Sequence, residues 1–138
     1  MDYTVSLITN APDCQALINI ANAEKESLSY RRTGLLRQRQ TATITSMEIQ
    51  TELASVEAEL AALQTVLDTL PEGSTKADTL VKFTKAGYKK FLLEQRKGNY
   101  GPIALVEKEY DIACVDEAIT ETDAFITSLT TRLADFPA

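Results

Sequence analysis

The sequence predicts an all-α protein, an elongated antiparallel helical hairpin with coiled-coil character formed by one 138-residue domain. Three observations predict it. Helix breakers are scarce, with five Gly and four Pro in the whole chain. An apolar heptad runs unbroken through the first half. Formal charge comes in blocks that complement each other when the chain folds back once. A three- or four-helix bundle is the alternative that the same elements could build.

Residues 1–11 form a short segment of their own. Tyr3, Val5 and Leu7 alternate, which predicts extended backbone. Pro12 and Asp13 then mark a helix start, because proline suits the first helical position and an acid suits the positive end of the helix dipole. From about 12 to 70 every seventh residue is apolar: Cys14, Ala21, Leu28, Leu35, Ala42, Ile49, Val56, Leu63 and Leu70. The companion positions are Ile18, Lys25, Arg32, Arg39, Ser46, Leu53, Leu60 and Leu67. This 3-4 spacing passes through Gly34 and the Thr-rich residues 41–45 without a phase change, so one helix of roughly 59 residues and about 88 Å is expected.

Leu70, Pro71, Glu72 and Gly73 make the strongest stop in the chain. Ser74 or Thr75 is positioned to cap a second helix over about 75–97. Gly98 is placed to supply a left-handed C-terminal residue, and Gly101 and Pro102 open a third helix over about 102–135. The third helix keeps its own heptad through Leu105, Ile112, Ile119, Ile126 and Leu133, with Val115, Thr122, Leu129 and Phe136 at the companion positions. Counting back by sevens carries the phase to Gly98, Phe91, Thr84 and Ala77, with Val81 and Tyr88 widening the stripe.

The charge blocks select the pairing. Residues 31–39 and 76–97 are basic, and residues 1–30, 40–75 and 98–138 are acidic. One reversal near residues 71–75 sets residues beside each other when their numbers sum to about 146, by the common rise of paired helices. Basic 76–97 then faces acidic 49–70, and acidic 107–123 faces basic 23–39. Arg39 is expected near Glu107, Lys25 near Glu121, and Arg32 among the same acids. Such exposed pairs contribute only about 0–1 kcal/mol each, but they choose partner and register. The competing layout reverses at residues 98–101 and lays the third helix on the second; it strands Arg31, Arg32, Arg37 and Arg39 without acids.

A two-helix seam leaves large apolar residues uncovered. Leu36, Ile44, Met47, Phe83, Leu92, Leu93 and Ile103 are the candidate interaction surface, and they imply a homo-oligomer, most simply a dimer, or another helical protein as partner.

Chemistry is conspicuous by what is missing. There is no His, so the commonest general base and metal ligand is absent. Acid pairs such as Glu107/Asp111 and Glu117/Glu121 have the spacing for a hard cation, but read more simply as a solvated face or as partners for the arginines. Cys14 and Cys114 are too few for a disulfide scaffold. Lys82, Lys85, Lys89, Lys90, Arg96 and Lys97 surround Phe83, Tyr88 and Phe91, a pattern that can contact nucleic acid or an anionic membrane. The net charge of −6 argues against a general nucleic-acid role. No run of about 18 apolar residues could span a membrane, and no signal peptide is read at the N-terminus. The expectation is a cytoplasmic, non-enzymatic interaction or structural protein, such as a spacer, adaptor or assembly factor, with no cofactor. A basic-face binder and a carboxylate-dependent metal enzyme are the alternatives.

Overall fold

The computed structural model describes residues 1–137. They are 88% helical and hold no strand. Helix α1 spans Ala11–Thr69, α2 Ser74–Tyr100 and α3 Pro102–Leu133. The expected all-α fold is present, as a helical hairpin or bundle: α2 packs on α1 after a reversal at residues 70–73 in one unit, and α3 packs on α1 in the other.

Asn10 caps α1. Its Oδ1 accepts from the Asp13 backbone N–H at 2.9 Å, satisfying one of the amides that a helix start leaves open. The helix then runs 59 residues through Gly34 and the Thr-rich stretch. Thr43 and Thr51 return their hydroxyls to the carbonyls of Arg39 and Met47, four residues back, at 2.9 and 3.0 Å. That local bond lets β-branched residues sit in a helix without an unsatisfied hydroxyl. The reversal needs Gly73, whose φ of 154° is unfavourable for residues with a Cβ.

Three local expectations are corrected. Val5–Leu7 form one 3-10 turn instead of extended backbone, closed by bonds from the amides of Leu7 and Ile8 to Thr4 and Val5. No strand lies beside this segment to reward extension. Ser74 is the first residue of α2 and not its side-chain cap; Gly73 provides only its carbonyl, to the Ala77 amide. Gly98 does not terminate α2, which continues to Tyr100. The helix stops at Gly101, in extended backbone with φ −90°. A Cβ there would lie 2.2 Å from the Lys97 carbonyl oxygen, so close approach and not a left-handed cap selects glycine.

Packing is organised in two compact units. The first comprises residues 1–38 and 108–137. Its core joins Leu35 of α1 to Ile112 and Val115 of α3, with Leu28 and Ile119 against them. Arg32 bonds Asp116, and Lys25 bonds Asp123 at 2.7 Å. These contacts lay α3 on α1 within this unit. The second unit is Arg39–Glu107. There Ile49, Leu53 and Val56 of α1 enclose Leu93 of α2, with Leu60 alongside. Each side chain of this size contributes about 1.5–3 kcal/mol when fully buried.

The eight seven-spaced apolar positions of α1, and Leu70 just beyond its end, are all buried or half-buried, as the heptad predicts. The phase of α2 is different from expectation. Its inward positions are Lys76, Thr79, Phe83, Ala86, Lys90 and Leu93, while Ala77, Thr84, Phe91 and Gly98 are exposed. Val81 and Tyr88 are exposed too, so they do not widen the seam. The inward pair Lys90 and Leu93 carries by sevens to 104 and 107, where α3 turns Leu105 and Lys108 inward, so the two stripes are one residue out of step, with Gly101 and Pro102 between them.

Candidate interaction faces

The sequence-predicted surface residues divide. Leu36, Ile44, Met47, Leu92 and Ile103 are exposed. Phe83 is half-buried on the inward side of α2. Leu93 is only 5% exposed and sits at the centre of the second unit's core, so it is withdrawn from the interaction surface. The heptad count turns positions 91 and 94 inward, whereas the structure turns 90 and 93 inward, a shift of one residue that puts Leu93 in and Phe91 out.

Within the second unit, α2 therefore carries an outward stripe that the heptad count assigned elsewhere. Leu80, Val81, Tyr88, Phe91 and Leu92 recur at spacings of three, four and seven, which places them on one side of a helix. Tyr88 is 63% exposed and Phe91 52%, and their rings stack with centroids 6.5 Å apart. One edge of the stripe is basic, formed by Lys82, Lys85, Lys89 and Arg96. None of these four has an ion-pair partner among the described residues; the pairs that α2 does form use Lys76 with Glu72, and Lys90 with Glu57 and Glu94. A signal for this face was available: the inward side of α2 includes two lysines and a threonine, which is a poor core stripe, while the better apolar stripe points away.

The outward side of α1 in the same unit is also uncharged. Ile44, Met47, Thr51, Ala54, Ala58 and Ala61 follow one another along it, all exposed. A shallow depression of about 430 Å³ lies at its start, lined by Ile44, Met47, Glu48, Thr51 and Glu52. Glu48, Glu52 and Glu59 form one edge of this face, again without ion-pair partners among the described residues.

The predicted inter-arm pairs are shifted by the register. Observed partners have numbers summing to 147 or 148, as in Lys25 with Asp123, Arg32 with Asp116 and Lys90 with Glu57. Lys25 thus meets Asp123 and not Glu121. Glu121 accepts instead from the Tyr3 hydroxyl and lies 3.9 Å from the terminal amine. Arg39 and Glu107 are both exposed in the second unit.

In the first unit the N-terminal segment is fastened by groups the sequence reading did not single out. Tyr3 packs its ring on Phe125 at 4.8 Å between centroids. Arg132 donates to the Ile8 carbonyl at 2.8 and 3.2 Å, pairs with Asp135, and lies over the Phe136 ring. Arg132 is one of two basic residues in an acidic tail, the only hint in the sequence of its special placement. Donation to the Glu121 carboxylate holds the Tyr3 hydroxyl above the usual phenol pKa of 10.0. A raised phenol pKa means that the bond's contribution is complete below the ordinary value and disappears as pH rises through the folded one. Tyrosinate absorbance should therefore show a component ionising above pH 10.0 that shrinks in Tyr3→Phe. A component of unchanged size in that variant would contradict this anchoring.

Reactive chemistry does not assemble. Asp116, Glu121 and Asp123 are engaged by Arg32, Tyr3 and Lys25. Among the described residues no group of three His, Cys, Asp or Glu converges as a metal site. Cys14 is buried in the helical seam, Cys114 is exposed, and both are free thiols. No helix among the described residues is long and apolar enough to cross a membrane. Comparison of the chain with family models, curated proteins and solved structures finds no match.

Proposed function

We propose that this chain is a non-enzymatic helical interaction protein that docks through the outward faces of its Arg39–Glu107 unit. The observation that carries the reading is the orientation of α2. Three of its large apolar side chains, Tyr88, Phe91 and Leu92, are exposed while Lys76 and Lys90 lie on the inward side beside Phe83 and Leu93. Water-facing aromatics on an ordered helix are stable only by what the rest of the fold provides, and their burial against a partner is the available gain. Aromatic anchors with a polar edge are also the usual composition of a binding hot spot. The partner is a helical surface, either a second copy or another protein.

The test uses the free chain. An anilinonaphthalene dye should brighten on the wild type. Brightening should be lost in Tyr88→Ser/Phe91→Ser, with far-UV circular dichroism unchanged and stability within about 0.5 kcal/mol. Equal dye response from both proteins would defeat the reading. A second reading, an anionic surface such as lipid headgroups or nucleic acid, is favoured by one observation: Lys85 and Lys89 have no ion-pair partner among the described residues and stand beside exposed Tyr88 and Phe91.

A further inference from the structure

We infer that the occupant of the α2 stripe is the outward face of α1 from a second copy of this chain, seated antiparallel. The inference rests on the interaction reading above and names its partner. Three independent matches between the two faces support it.

Size matches first. The α2 stripe presents large side chains, Leu80, Val81, Tyr88, Phe91 and Leu92. The α1 face offers small ones, Thr51, Ala54, Ala58 and Ala61, all exposed. Small residues let a second helix approach closely and receive bulky knobs.

Charge matches second. The α2 edge carries Lys82, Lys85, Lys89 and Arg96, and the α1 edge carries Glu48, Glu52 and Glu59. All seven lack ion-pair partners among the described residues. Both edges lie on the same rotational side of their stripes, viewed along each helix. An antiparallel pair brings two such edges together; a parallel pair puts them on opposite sides of the contact.

Register matches third, and it is one register for both terms. When paired residue numbers sum to about 142, at equal rise along both helices, Phe91 falls on Thr51 at the 430 Å³ depression. Tyr88 then falls on Ala54, Thr84 on Ala58 and Val81 on Ala61. Within two residues of that register Lys89 meets Glu52, Lys82 and Lys85 meet Glu59, and Arg96 meets Glu48. The contact joins unlike faces, so two copies either close on a reciprocal pair of contacts or add head to tail.

Sedimentation velocity from about 1 to 100 µM, the range where modest interfaces are read, tests the assignment. Wild type should associate, and less so in high salt. Lys85→Glu/Lys89→Glu and Glu52→Lys/Glu59→Lys should each weaken association by about tenfold or more. An equimolar mixture of the two variants should associate again, because the reversed edges are complementary. All four residues are exposed, so unchanged circular dichroism is expected to accompany each variant. A wild type that stays at 15.2 kDa throughout, variants that associate like wild type, or a mixture that fails to recover would each overturn the assignment. A monomeric wild type that still brightens the dye leaves the interaction reading standing and removes only the second copy. If that monomer also co-sediments with phosphatidylserine-containing vesicles and not with phosphatidylcholine alone, the stripe belongs to an anionic lipid surface.

Discussion

Truncating Leu93 to Ala should lower stability by about 2–4 kcal/mol, while Phe91→Ser, two residues away, should change it by less than about 0.5 kcal/mol. Leu93 is 5% exposed among Ile49, Leu53 and Val56, so removing its branch leaves a cavity that a pair of long helices cannot easily close. Phe91 is 52% exposed and loses little water-excluded area in the folded chain. The contrast is diagnostic because an unbroken heptad across residues 98–101 predicts the opposite ranking. Urea unfolding followed by circular dichroism measures both. Equal costs, or the larger cost at Phe91, would show that α2 turns its other side inward. Under the second-copy assignment Phe91→Ser still reports, through lost association and not through lost folding.

Gly101→Ala should destabilise by about 1–3 kcal/mol, the usual range for forcing atoms into filled space, whereas Gly98→Ala should stabilise by about 0.5–1 kcal/mol. At 101 the new Cβ would stand 2.2 Å from the Lys97 carbonyl oxygen, and backbone must move to admit it. At 98 the residue lies inside α2 with nothing within 4 Å, so a methyl group only removes unfolded-state freedom. Two glycines three residues apart thus respond with opposite signs to one substitution. Hydrogen exchange would locate the effect: the Leu105 amide, which bonds the Gly101 carbonyl at 3.3 Å, should lose protection in Gly101→Ala and keep it in Gly98→Ala. The same sign at both positions would show that close approach to the Lys97 carbonyl does not select glycine at residue 101.

These two experiments mark where local pattern stops being sufficient. The α1 heptad is legible because its seven-spaced apolar residues are all turned inward, so pattern and burial coincide. The reversal is legible from Pro71 and Gly73, which no helix interior tolerates cheaply. Charge blocks identified which arms pair, since Lys25 and Arg32 do find acids on α3. They missed the register by two residues, because a long flexible side chain reaches more than one acid and discriminates poorly between neighbouring positions. Arg132 escaped notice for another reason: its chief partner is the Ile8 carbonyl, and backbone acceptors leave no mark in residue type.

The outward faces show the same division. Ile44, Met47 and Leu92 were legible as surface because they fall off any single seam. Phe91 and Leu93 exchange roles only once α2 is docked, so no count along the chain separates them.

What the sequence determined alone was helix content, the place of the reversal and the sign of charge along each arm, since these follow from backbone preferences and formal charge within a few residues. The rotation of α2 about its own axis was decided only in the tertiary structure. That rotation depends on which of two competing apolar stripes fits Ile49, Leu53 and Val56, and side-chain packing across a seam is a property of two helices and not of either one.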